Sequence, residues 1–324
     1  MHSLFSKLKK WAKGRLKLAD TIARYCLKYH PQRRSPVPFY SELFRLGLET
    51  CAKIHGGAIC EEGGTVMRPI EEPRFCKFLR WIVGVFYPKM ELVGLEKLPE
   101  EPFILVGNHS QAHGAIVAEE RLPFDHYTWC NYQMMDKKEV SRYALEDFWQ
   151  DKPQWTQPFW RLVSKIIRYP AVYIMSHART IPVYHDNRCI STFRKSIEKM
   201  QDGYNLVIYP ECKTRYNNII FDFQDRFIDL ARMYHRRTGQ ALSFVPMYLA
   251  PKLRKIFFCD PIRYDPAVPM DIQRARIKQQ LMDAITQVAC AQPLHTVIPY
   301  RNVSKKQYPK NLPCEVYSVE TSNG

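Results

Sequence analysis

The chain has 324 residues, 46% of them hydrophobic, which is enough to bury a substantial core and too ordered a composition for a disordered protein. Lys and Arg outnumber Asp and Glu by 48 to 32, and a net charge of +16 predicts attraction to phosphate on lipid, soluble substrate or nucleic acid. Ten scattered cysteines with no CxxC pair argue against a zinc ribbon, and without a secretion signal they read as reduced thiols rather than a disulfide framework.

Residues 3–29 come first. Leu4, Leu8, Trp11, Ala12, Ala19, Ile22, Ala23, Cys26 and Leu27 recur at helical spacing. Between them fall Lys7, Lys9, Lys10, Lys13, Lys17, Arg24 and Lys28, against one acid, Asp20. A helix with a Trp/Leu face and a Lys-rich face suits an anionic membrane interface. The same pattern also fits a solvated helix whose apolar stripe packs on the rest of the protein. Prolines at 31–38 end it, with Arg33 and Arg34 extending the basic patch. A second helical stretch spans 37–54, followed by glycine pairs at 56–57 and 63–64.

No apolar run approaches the ~20 residues needed to cross a bilayer. The longest, 75–87, is interrupted by Lys77 and Arg80. The N-terminus lacks the uninterrupted apolar core and cleavage site of a signal peptide. The expectation is a cytoplasmic protein peripherally associated with a membrane.

From about residue 72 short apolar runs alternate with helical patterns. Strands are predicted at 91–94, 103–107, 126–130, 180–184, 205–209, 243–249 and 255–259, and helices at 112–122, 189–201, 224–238 and 272–289. This alternation predicts an α/β fold, a mixed central sheet covered by helices. An aromatic block over 148–167 could cover an acyl groove, touch a membrane or simply pack in the core. The tail beyond Pro309 is polar and expected to be loose. The organisation reads as a basic helical extension over 1–71, an α/β domain over 72–309 and a tail over 310–324.

Two strand ends carry the chemistry. The first is Phe103-Ile-Leu-Val-Gly-Asn108-His109-Ser110, where an apolar strand runs into a polar Asn–His pair just before a helix. A histidine there can serve as a general base, because its ordinary pKa lies near neutrality. The second is Leu206-Val-Ile-Tyr209-Pro210-Glu211-Cys212-Lys213-Thr214-Arg215. Here Lys213 and Arg215 can bind a phosphate, with Glu211 orienting the cations or a substrate hydroxyl; a surface salt-bridge cluster would show the same residues.

In this order and spacing the two stretches resemble the glycerolipid acyltransferase family, whose pattern is Asn-His, four residues, Asp, and later Phe-Pro-Glu-Gly-Thr-Arg. Glu91 to Pro99, Asp136 to Val140, Ala178 to Val183 and Phe244 to Met247 are similar to the family's supporting stretches. The resemblance runs from about Phe78 to Asp265. It implies that His109 takes the proton from a hydroxyl of a glycerol-phosphate or lysophospholipid acceptor, which attacks an acyl thioester on coenzyme A or acyl carrier protein. It places Glu211 with His109 in catalysis and assigns acceptor binding to Asn108, Arg179, Lys213, Thr214 and Arg215. It implies no cofactor beyond the acyl-CoA or acyl carrier protein co-substrate.

The sequence departs from that family in two places. The family Asp, five residues after the His, is Gly114, so the group that orients His109 must come from elsewhere; Glu119, Glu120 and His113 are the nearby candidates. The motif's glycine is Cys212, and Lys213 looks inserted. A relative of the family that binds lipid without catalysis is therefore the alternative. His109 and His113 have a zinc-compatible i, i+4 spacing, but no third ligand accompanies them and no metal is expected. The basic residues concentrate in an amphipathic helix and no zinc-finger or RNP-like motif occurs, so no nucleic-acid partner is expected.

Overall fold

A computed structural model describes residues 87–149, 153–312 and 317–318. The amphipathic helix expected over 3–29 and the stretches up to residue 71 lie outside the described residues.

The runs of β-branched and aromatic residues form the strands of a mixed eight-stranded sheet. In the order β1-β9-β8-β2-β5-β3-β4, these are β1 (Glu91–Val93), β9 (Lys255–Phe258), β8 (Ser243–Ala250), β2 (Phe103–Gly107), β5 (Asn205–Ile208), β3 (His126–Asn131) and β4 (Thr180–Val183). A short β10 (Ile262–Arg263) pairs antiparallel with β8. Strands β8, β2, β5, β3 and β4 are mutually parallel, so their carboxyl ends share one edge of the sheet. Among the described strands of this sheet, β9, β10 and β1, which is parallel to β9, run against β8.

All five residues of β2 are buried, as a strand covered on both faces requires. Ile104 and Val106 face a core shared with α4 (Cys189–Gln201), α5 (Asp229–Thr238) and α6 (Met270–Cys290), through Ile197, Leu230, Ile277 and Leu281. Phe103 and Leu105 face the other way, onto Val117 and Ala118 of α1 (Ala112–Glu120). The mixed sheet covered by helices that the sequence predicts is the fold observed.

The differences have local causes. Residues beyond the strand predicted at 205–209 form a further strand, β6 (Glu211–Tyr216), which pairs antiparallel with β7 (Phe221–Phe223) in a second, three-stranded sheet. Cys212 faces Asp222 while Tyr216 faces Phe221, so Lys213, Thr214 and Arg215 bulge out as three successive exposed residues. The residue that looked inserted lies in this bulge, and the bulge removes the alternation that would mark a strand. The aromatic block proves to be the end of α2 (Val140–Phe148) and the first half of α3 (Gln157–His177), which has Pro158 in its first turn.

The stretch expected to be loose is tied down where it is described. Asn311 is buried, and its amide donates to the carbonyls of Ala289 and Gln292 at 2.9 and 3.0 Å, satisfying groups that the end of α6 leaves open. Further on, β11 (Tyr317–Ser318) pairs with β6. Among the described residues no helix is long and apolar enough to cross a membrane.

Candidate active site

The parallel strand order brings the ends of β2, β5, β3 and β4 around one cleft of about 1150 Å³. Sites in open α/β sheets form at such carboxyl edges. His109 stands on its wall, half-buried, two residues beyond β2. Its ring packs against Tyr209 at 5.2 Å and Tyr300 at 5.4 Å between centroids. Its Nδ1 is buried.

The backbone that presents this imidazole is strained and heavily fixed. Ser110 and Gln111 have φ of 47° and 57°, a region costing about 1–3 kcal/mol per non-glycine residue. Several contacts hold it there. The Glu211 carboxylate accepts from the backbone N–H of His109 at 2.6 Å and of Phe221 at 2.8 Å. Gln111 donates to the Arg301 carbonyl at 3.2 Å and accepts from the Tyr308 hydroxyl at 3.1 Å. The Gly114 N–H closes the turn on the His109 carbonyl at 2.9 Å.

Asn108 turns away from the cleft and into the sheet. Its side chain exchanges two hydrogen bonds with the Leu249 backbone, at 2.7 and 3.0 Å, and donates to the Ser110 hydroxyl at 2.8 Å. Substrate binding, the role the resemblance implies for it, would require a group that is instead spent on locking β2 to β8. Asn108→Ala leaves the buried Leu249 N–H and C=O without partners. We expect it to cost about 3 kcal/mol of stability, read as a lowered urea midpoint at unchanged m-value.

Gly114 is explained by crowding. A Cβ there would lie 2.6 Å from the His109 carbonyl oxygen and 3.1 Å from the Tyr209 ring, whose hydroxyl donates to the Gly114 carbonyl at 2.8 Å. The tyrosine fills the space into which a side chain at 114 would project. Gly114→Asp, which would put an acid five residues after His109, should therefore lower the melting temperature; an unchanged melting temperature would contradict this packing.

Of the substitute acids, Glu119 and Glu120 line the same cleft as His109. His113 does not line it, because its Nδ1 is engaged by the Tyr87 hydroxyl at 2.9 Å. Burial, assisted by Lys252, holds the His113 pKa below its ordinary value. No cluster of three or more His, Cys, Asp or Glu side chains suited to a metal occurs among the described residues.

The expected cations separate. Lys213 does not line the cleft but lies over the ring of Tyr300, which does, at 5.7 Å. Thr214 is exposed next to Cys212, with 3.3 Å between hydroxyl and thiol. Arg215 pairs with Asp222 at 3.0 Å, and Lys278 joins them at 2.6 Å. Burial opposes ionisation of Asp222, but these two cations hold its carboxyl below the usual range. Arg179 precedes β4, whereas His109 follows β2; in a parallel arrangement these are opposite edges of the sheet. Arg179 there pairs with Asp125, just before β3, and stacks on Tyr204. It is not brought to His109.

Other residues reach the cleft without a sequence signal that distinguished them. Tyr184, His185, Asp186 and Asn187 follow β4 at the same edge as His109, and Tyr300 and Asn302 arrive from a C-terminal segment beyond the family resemblance. Strand-end position alone could have flagged the first four. Cleft walls are largely apolar, with Ile116, Trp129, Met175, Val183 and Phe193 among them, and among the described residues lining them carboxylates outnumber the single arginine, Arg226.

No family model matches the chain, and no curated protein matches it. Among solved structures it is similar to the 1-acyl-sn-glycerophosphate (LPA) acyltransferase PlsC of Thermotoga maritima. The identity is 14%, with 70% of this chain and 86% of that chain covered and a TM-score of 0.39. At those values the likeness carries no argument about function.

Proposed function

We propose that the protein transfers an acyl group from a thioester donor to the hydroxyl of a lipid-type acceptor, with His109 as general base. The observation that carries this reading is His109 itself. It is a histidine at the carboxyl edge of a parallel sheet, held on a strained, multiply anchored loop at the wall of a large apolar cleft.

In the reaction, His109 takes the proton of the acceptor hydroxyl as its oxygen bonds to the thioester carbonyl carbon. Collapse of the tetrahedral intermediate breaks the C–S bond, and the proton passes from His109 to the departing thiolate. No redox change and no metal are required. Glu211 acts by positioning, since both its oxygens are committed to backbone N–H groups. The apolar walls suit an acyl chain. A phosphate on the acceptor would sit near Lys213, because the lining of the cleft is rich in carboxylates. The donor, acyl-CoA or acyl carrier protein, and the acceptor, glycerol phosphate or lysophospholipid, belong to this same reading, as does work at an anionic membrane surface.

The filled space at Gly114 favours a second reading, a lipid-binding protein without turnover. Labelled acyl-CoA and acyl carrier protein donors, offered with a panel of glycerol-3-phosphate and lysophospholipid acceptors, separate the two. His109-dependent ester formation supports transfer; folded, lipid-binding protein that turns over no donor refutes it.

A further inference from the structure

Helix α3 has an exposed apolar face that the catalytic reading does not use. On it and just ahead of it, Trp155 is 84% exposed, Phe159 59%, Leu162 58%, Ile166 63% and Tyr169 57%. The steps between them are four, three, four and three residues, so they form one continuous stripe rather than the scattered apolar residues of an ordinary surface. Arg161 and Lys165 are exposed beside the stripe, Arg168 folds its guanidinium over the Tyr169 ring at 4.7 Å, and the helix contains no Asp or Glu.

We propose that this face docks on an anionic lipid bilayer, with α3 lying in the plane of the interface. Large apolar and aromatic side chains flanked on one side by cations are the composition such a helix requires. The charge argues against a second copy of the chain as occupant, since a second copy would offer the same acid-free, cationic helix rather than an anionic partner. The three cations also prevent the 21-residue helix from spanning a bilayer. Toward its C-terminus the same helix contributes Ile174 and Met175 to the wall of the cleft that holds His109. Docking through the stripe therefore puts on the bilayer a helix that forms part of that wall. This deepens the acyl-transfer reading and rests on it for why lipid should reach the cleft, but the contact itself can be tested without turnover.

The test is co-sedimentation of the full chain with phosphatidylcholine vesicles, with and without phosphatidylglycerol. Phe159→Asp/Leu162→Asp/Ile166→Asp should weaken binding to the anionic vesicles by on the order of 10-fold or more. Arg161→Glu/Lys165→Glu should produce a loss of roughly 10-fold or more confined to the phosphatidylglycerol vesicles. All five positions are exposed, and an unchanged melting temperature verifies folding. Wild-type binding by both variants overturns the proposal and leaves membrane contact to residues 3–29. A wild-type dimer that the triple variant converts to monomer overturns it in favour of self-association. The acyl-transfer reading fails separately: wild-type protein that needs this face for vesicles yet turns over no donor keeps the docking surface and loses the reaction.

Discussion

His109→Ala should reduce ester formation by about 10²–10⁴-fold, the usual contribution of a positioned general base. The effect should fall on turnover rather than on folding. The imidazole stands on the cleft wall, packed edge-on against Tyr209, while the contacts that fix its loop use the His109 backbone and the side chains of Glu211 and Gln111. The variant should therefore retain its secondary structure and melt close to wild type. Radiolabelled ester yield, measured beside a thermal melt, checks both halves. Equal activity in the mutant would remove His109 from the chemistry.

The second large effect is at Glu211. Its carboxylate bridges two backbone N–H groups on segments that meet only in the folded protein, one after β2 and one at the start of β7. Glu211→Ala leaves both buried donors unsatisfied, at about 1–3 kcal/mol each, and frees the strained loop that carries His109. We expect about 2–6 kcal/mol of lost stability together with a collapse of turnover.

The charge state of Glu211 gives the same residue a pH signature. Burial raises its pKa to about 7, against the opposing pull of the Phe221 and His109 N–H groups. A carboxyl whose folded pKa lies above its unfolded value near 4.5 favours the folded state fully below pH 4.5. That advantage drains away as the pH rises from 4.5 through about 7. Near neutrality and above, the difference amounts to about 3 kcal/mol. The two lowered histidines, His113 and His126, slope the other way across their own range, so the comparison must be with Glu211→Gln in the same buffers. The wild-type profile should fall more steeply than that of the variant between pH 4.5 and 7. Parallel profiles would mean that Glu211 is ionised throughout.

The framework of the molecule was legible in its sequence. Strands buried on both faces must be apolar at nearly every position, which makes runs such as Phe103-Ile-Leu-Val visible, and helices packed on a sheet must repeat their apolar residues at three- and four-residue steps. The two polar strand ends stood out for the same reason: His109 and Glu211 interrupt runs that are otherwise hydrophobic. Where the pattern was broken locally, as in the bulge of Lys213 to Arg215, the strand was invisible.

Only the tertiary structure decided which of these groups meet. Glu211 reaches the His109 N–H across 102 residues because β2 and β5 are adjacent and parallel. The same parallel register sends Arg179 to the far edge, since it precedes its strand where His109 follows one. Tyr209 fills the space beside Gly114, and Tyr300 arrives from beyond the recognisable motifs to close the wall around His109. Periodicity is set by neighbours a few residues apart and can be read along the chain. Convergence at a site is set by strand order and direction, which long-range packing fixes.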